Sequence, residues 1–315
     1  MAGNPPLLRI GTRGSPLALA QAQETKARLG RVHRELRVEG AIEIVVIKTT
    51  GDKIQDRALM EIGGKGLFTK EIEEALLEDR IDIAVHSMKD MPTVLPAGLA
   101  IPCILEREDP RDAWFSRDGK GLADLAGGAV VGTASLRRQA QIKHHRPDLK
   151  VVTLRGNVGT RLMKLERGEV DATILALAGL NRLGKADLAT AVMSREEMLP
   201  AVAQGAIGLE VRLDDTGTKE LIQPLNHADS AICVAAERAL LAELDGSCRT
   251  PIAAFAELKE GGLISISSLV AAPDGSRIFT DLREGKDGEE VGRASGRILK
   301  EKAGSAFFAM LTGKH

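Results

Sequence analysis

From Leu7 to about Ile207, short apolar runs alternate with amphipathic stretches. Leu8–Gly11, Ile42–Ile47, Ile81–Val85, Val130–Val131, Val151–Leu154 and Ala172–Leu177 are brief, bounded and aliphatic, the pattern of buried strands. Helical stretches with start signals lie between them. Ser15-Pro16 supplies an N-cap and a proline for the first helical position, ahead of Leu17–Leu29. Leu67, Ile72, Leu76 and Leu77 recur at near-helical spacing over Gly66–Leu77. Ser135 and Asn157 can cap helices running through Lys143 and Glu166. Strand–helix alternation of this kind predicts α/β layers with a partly parallel sheet.

Pro102–Arg111 and Leu199–Gly205 interrupt the pattern and read as crossings between domains. Two crossings complete one domain by a returning segment, and the cleft between two such domains is the natural ligand site. After Pro224 the character changes. A long helix at about Ser230–Leu244 precedes alternating runs at Ile252–Leu258, Leu263–Val270 and Arg277–Leu282, and a final helix spans about Val291–Leu311. These predict a small α+β domain.

Charge excludes some functions and points to others. With 43 Lys and Arg against 44 Asp and Glu, the net charge of -1 excludes a globally basic nucleic-acid protein. Aromatic residues are 2% of the chain, too few for base-stacking platforms. No run approaches the ~20 apolar residues of a membrane span. Met1–Leu8 has neither a basic nor a long apolar region, and Cys103, Cys233 and Cys248 are scattered, so a reducing cytoplasm is expected.

The near-zero average hides a basic stretch. Thr133–Lys185 holds eleven Lys and Arg against four Asp and Glu. Arg137, Arg138 and Arg161 fall in first turns of helices, Arg155 follows a strand directly, and Arg182 follows the strand Ala172–Leu177 and its loop. Strand carboxyl ends converge on one crevice in open α/β sheets. A guanidinium there opposes the helix dipole unless an anion joins it, and grips carboxylate or phosphate as a fork. Any one of these arginines also reads as part of a solvated basic face; five at equivalent positions favour an anion site. A nucleic-acid binder using this face would show steep salt dependence.

Arg13 and Ser15 occupy the same kind of position after the first strand. Gly63-Gly64-Lys65-Gly66 could present backbone N–H groups and a lysine to an anion, or be a plain turn. It is not a nucleotide-binding Walker loop, because Leu59 stands where glycine is needed and Gly66 where Ser or Thr should follow the lysine. Asp90 ends an apolar strand beside Lys89 and could stabilise a developing cation, or simply form a turn before Met91-Pro92. His86 reads as a satisfied core or supporting histidine. Cys248, in a Gly-Ser loop beside Arg249, has its thiolate favoured, although an incidental loop cysteine is the plainer reading; Cys103 and Cys233 lie in apolar runs as buried small hydrophobes. No metal-ligand spacing occurs, and no metal is expected.

Taken together, the motifs form an ordered series. TRGSPLALAQ from Thr12, TTGD from Thr49, GGKGLFTKEIEEALL from Gly63, DIAVHSMKDMP from Asp82 and EREDPRDA from Glu106 come first. SLRRQAQ from Ser135, LRGNVGTRLMKL from Leu154, ILALAGLNRLG from Ile174, PAVAQGAIGLE from Pro200, ERALL from Glu237 and GSCRTPIAAFAEL from Gly246 follow. Along nearly its whole length the chain resembles the porphobilinogen deaminase (hydroxymethylbilane synthase) family.

The resemblance implies two periplasmic-binding-protein-like (type II) α/β domains around a cleft, residues 1–105 with 204–224 and residues 106–203. A third, α+β domain at 225–315 would carry the cofactor cysteine. It implies a covalent dipyrromethane joined by a thioether to Cys248, and a monomeric cytoplasmic transferase of tetrapyrrole biosynthesis. Four porphobilinogens are joined head to tail with loss of ammonia, giving hydroxymethylbilane for uroporphyrinogen III synthase. Asp90 matches the family's catalytic aspartate. Lys89, Thr133, Ser135, Arg137, Arg138 and Arg161, with Asp90, would contact the cofactor. Arg13, Ser15, Lys65, Arg155, Arg182 and Gln204 would contact the substrate or the growing chain, and Phe68 would pack against a pyrrole. Gln55–Gly63 resembles the family's mobile active-site loop. Two departures are small: Ala134 replaces a frequent serine, putting one cofactor hydrogen bond in doubt, and Gly-Ser-Cys replaces Gly-Gly-Cys. The alternative is a non-catalytic anion-binding protein on the same scaffold, which would need neither Asp90 nor Cys248.

Overall fold

The computed structural model of the chain describes residues 6–53, 69–246 and 250–312. The first elements are β1 (Leu8–Arg13), α1 (Pro16–Val32), β2 (Ile42–Ile47), α2 (Thr50–Lys53), α3 (Lys70–Leu77), β3 (Ile83–Ser87) and β4 (Leu99–Ile104). Then come β5 (Asp112–Ser116), β6 (Val130–Gly132), α4 (Leu136–His145), β7 (Lys150–Val152), α5 (Val158–Glu166), β8 (Ala172–Ala176), α6 (Leu177–Arg182) and β9 (Ala191–Val192). The chain continues through β10 (Ile207–Arg212), α7 (Thr216–Ile222) and α8 (Ala228–Glu243), then β11 (Ile252–Leu258), β12 (Ile264–Ala271), β13 (Ile278–Gly285), α9 (Gly288–Ala303) and α10 (Ser305–Thr312). These elements fall into two units, one of residues 1–107 with 206–231 and the other of residues 108–205 with 232–315.

In the first unit the sheet order is β2-β1-β3-β10-β4. β1 runs parallel to β2 and β3, whereas β10 is antiparallel to β3 and β4. The period of two sends Leu8, Ile10, Ile83 and Val85 to one face, where Ala22 and Leu29 of α1 cover them. Ile47 and Ala84 point to the other, under Ile72 and Leu76 of α3. A strand buried on both faces is mostly apolar, which is why β3 opens on the run Ile83-Ala84-Val85.

The second unit repeats this order as β7-β6-β8-β5-β9, with β6 parallel to β7 and β8 and with β5 antiparallel to β8 and β9. In each sheet an antiparallel strand distant in sequence occupies the fourth place. This is the arrangement of type II periplasmic-binding-protein-like α/β domains. The second unit also holds an antiparallel sheet, β11-β12-β13, with α9 against β12 and β13. Buried Glu237 of α8 accepts the backbone N–H groups of Ala203 (2.5 Å) and Ala256 (2.8 Å), tying the 199–205 stretch to β11.

Three local expectations are corrected. Pro102 does not open a crossing; it lies inside β4, an edge strand, where a missing N–H costs no ladder bond. The final helix is two helices, because Gly304 at φ +79° caps α9 and turns the chain before α10. No loop separates β8 from the residues before Arg182, since buried Leu177, Ala178 and Leu180 carry the apolar run straight into α6. Among the described residues no helix is long and apolar enough to cross a membrane, and no group of three or more His, Cys, Asp or Glu is arranged to hold a metal.

Candidate active site

In the first unit, the carboxyl ends of β1 and β3 open on a cavity of about 70 Å³. Arg13 ends β1. Ser15 caps α1, its hydroxyl accepting Ala18 N–H at 3.2 Å, and Pro16 occupies the first turn, where no N–H is missed. Past Ser87, residues Met88–Asp90 make a single 3-10 turn, closed by Met91 N–H donating to the Met88 carbonyl at 3.2 Å. Met91 is extended, as the residue before Pro92 must be. This turn carries half-buried Lys89 and leaves Asp90 exposed. Gln21 and Ser87 fix each other by hydrogen bonds of 2.8 and 3.1 Å. Arg13, Ser15, Gln21, His86, Ser87 and Asp90 all line the cavity.

The second unit holds a buried charge cluster. Ser135 caps α4 by accepting Arg138 N–H at 3.4 Å, and the Thr133 hydroxyl accepts Ser135 N–H at 3.2 Å. The cap sets Arg137 and Arg138 in the first turn, as expected, but both are buried. Asp112 at the start of β5 receives Arg137 Nη2 on one oxygen and Arg138 Nη2 on the other, each at 2.7 Å. Their Nη1 atoms donate to the carbonyls of Leu199 (2.7 Å) and Ile174 (3.0 Å). Burial opposes charge on Asp112, yet the two guanidiniums outweigh it and hold the carboxyl far below the usual range. Gln204 is buried there too, its amide donating to Asp112 Oδ1 at 2.9 Å and to the Pro110 carbonyl at 2.7 Å.

The remaining basic residues lie closer to solvent. Arg155 is half-buried after β7. Asn157 caps α5, and Arg161 in its first turn donates from Nε to the Gly156 carbonyl at 2.8 Å. Gly156, at φ +120°, could carry no Cβ, which would lie 2.6 Å from the Thr160 methyl. Arg182, at the end of α6, donates from both terminal nitrogens to the Gly205 carbonyl at 3.2 Å. Cys103 and Cys233 are buried, and burial pushes the Cys103 thiol up to about 12. Lys65, Phe68, Cys248 and the Gln55–Gly63 segment lie outside the described residues.

Asp112 is the member of this cluster that sequence reasoning missed. Its signal was a lone carboxylate opening the apolar run Ala113-Trp114-Phe115, which must find cations or stay out of the core. Two guanidiniums on one carboxylate leave one positive charge uncompensated, and the Nε atoms of Arg137 and Arg138 are buried without a partner. Such a cluster suits a ligand rich in carboxylates.

One α/β unit thus carries a cavity with an exposed carboxylate, and a second unit of the same topology carries a buried cationic cluster. Residues 8–220 match the family model described as porphobilinogen deaminase, dipyromethane cofactor binding domain, and residues 231–301 match porphobilinogen deaminase, C-terminal domain. The chloroplastic porphobilinogen deaminase of Oryza sativa subsp. japonica is 57% identical over 309 residues, covering 97% of this chain and 86% of that protein. The porphobilinogen deaminase of Paracoccus denitrificans is 54% identical over 303 residues, covering 96% of each. Among solved structures, the VFT2 domain of Bordetella pertussis BvgS aligns with a TM-score of 0.39 at 14% identity, covering 74% of this chain and 91% of that one.

The chain belongs to the porphobilinogen deaminase family. It condenses four porphobilinogens head to tail, with release of ammonia, into hydroxymethylbilane on a dipyrromethane primer.

Proposed function

We propose that Asp90 is the catalytic carboxylate of this condensation and that Cys248 carries the primer as a thioether. The observation that carries the first assignment is the exposed Asp90 on its 3-10 turn, sharing a cavity with Arg13 and Ser15. Bound there, the primer supplies a pyrrole with a free α-carbon. Asp90 accepts the pyrrole N–H of the incoming porphobilinogen, and its charge stabilises the cationic azafulvene left when the amine departs. A carboxylate fixed before the reaction costs no reorganisation as that charge develops.

Each ring brings an acetate and a propionate, so the basic residues act as carboxylate holders. Lys89, Thr133, Ser135, Arg137, Arg138 and Arg161 serve the primer. Arg13, Ser15, Lys65, Arg155 and Arg182 serve the incoming ring and the growing chain, and Phe68 packs against a pyrrole. Gln204 contributes through Asp112, which it helps to hold. The protein works as a cytoplasmic monomer of three domains, residues 1–105 with 204–224, residues 106–203 and residues 225–315. It releases its product to uroporphyrinogen III synthase, which cyclises it.

Intact-mass measurement tests the attachment. The purified chain is expected to exceed its sequence mass by two pyrrole units, and Cys248→Ser to remove the increment together with activity. An active protein of unmodified mass would rule the assignment out.

A further inference from the structure

An acid–base cluster that the assignments above leave unused is buried beside the Asp90 cavity. In the β3–β10 ladder His86 stands opposite Gly208, and Ala84 opposite Glu210, so His86 and Glu210 project from one face of the sheet. There His86 Nε2 lies 3.0 Å from Glu210 Oε2, with side-chain exposures of 5% and 0%. Glu73 of α3 is buried over the same face, and burial lifts its carboxyl above the ordinary range. Oε1 of Glu210 and Oε1 of Glu73 are buried without hydrogen-bond partners. His86 also lines the cavity with Asp90 and Arg13, and its Nδ1 makes no hydrogen bond among the described residues.

The geometry points to His86 as the acceptor of the pyrrole α-proton released at each condensation, with Glu210 as its positioning residue. The inference rests on the assignment of Asp90 to the reacting ring. A carboxylate that accepts from Nε2–H fixes the imidazole tautomer and leaves the Nδ1 lone pair for the cavity. In the step, the methylene carbon of the activated ring bonds to the α-carbon of the acceptor ring. The α C–H bond breaks, its electron pair restores the aromatic ring, and the proton passes to Nδ1. The ammonia already released takes that proton as ammonium, so no oxidant or reductant enters. The groups facing the imidazole are Glu210 from β10, Glu73 from α3, and Asp90 and Arg13 at the cavity. Three of these four are carboxyl groups, and Arg13 is the one cation among them.

The test combines ¹⁵N NMR of the holoenzyme with turnover of porphobilinogen deuterated at its free α-carbon. His86 is expected as the Nε2–H tautomer with a pyridine-like Nδ1. His86→Asn is expected to lower kcat about 100-fold, the scale of a lost general base, with KM nearly unchanged. It should also bring out a primary isotope effect that the wild type masks. Glu210→Gln is expected to lower kcat about tenfold and to displace the acidic limb of the pH profile. An Nδ1–H tautomer, or isotope effects near one in both variants, overturns the inference even where activity falls. If His86→Asn does not fold, the tautomer and Glu210→Gln decide the matter. Normal turnover by Asp90→Ala would remove the Asp90 assignment alone, because the tautomer and the isotope effect report on His86 directly.

Discussion

Asp90→Ala is expected to lower turnover by about 10³-fold, at the upper end of what one preorganised electrostatic group supplies, while leaving the fold intact. The separation of the two effects follows from where Asp90 sits. It is exposed at the end of the 3-10 turn, and that turn closes through backbone atoms of Met88 and Met91. An exposed side chain outside the core costs about 0.5 kcal/mol or less when truncated. Circular dichroism and the urea midpoint should therefore match the wild type. Asp90→Asn sharpens the result: it keeps the shape but removes the charge, so it should be nearly as slow if cation stabilisation is the role. Turnover within tenfold of the wild type in either variant would refute that role.

Much of this organisation is legible in the sequence, for identifiable reasons. Strands β1, β2, β3, β6, β7 and β8 fall at or within two residues of the expected runs; the central β1, β3, β6 and β8 are mostly buried and so mostly apolar, while the edge strands β2 and β7 are legible from their aliphatic residues alone. Ser15, Ser135 and Asn157 cap helices as expected, since a short side-chain oxygen before a helical run has few better uses. What escaped depends on partners remote in sequence. Strand β10 contains Glu210, which looks misplaced in an apolar strand until His86, 124 positions away, supplies its partner. Pro102 looked like a boundary because nothing local says that β4 is an edge. The arginine-rich stretch was legible as charge, but not the division of labour within it. Spacing alone made Arg137 and Arg138 equivalent to Arg155 and Arg161, whereas Asp112 draws the first pair into the interior.

That division makes Asp112→Asn the substitution with the largest expected effect on stability. Asp112 is fully buried, with a guanidinium on each oxygen at 2.7 Å and the Gln204 amide at 2.9 Å. Removing its charge leaves two buried guanidiniums facing each other, and breaking a buried pair in this way costs about 3–5 kcal/mol. Against a total stability of about 5–15 kcal/mol, that is a large fraction. The sign with pH follows from the depressed carboxyl. Its stabilisation is complete above the unfolded-state pKa of about 3.9, and is lost as pH falls through the still lower value in the fold. The gap in urea unfolding free energy between wild type and Asp112→Asn should therefore hold constant from about pH 8 to pH 5 and narrow only below about pH 4. Arg137 and Arg138 would also lose the carboxylate that aims them, so the fraction of chains carrying the two-pyrrole mass increment should fall. A loss below about 1 kcal/mol at neutral pH, the cost of an exposed pair, would mean that the arginines do not depend on Asp112.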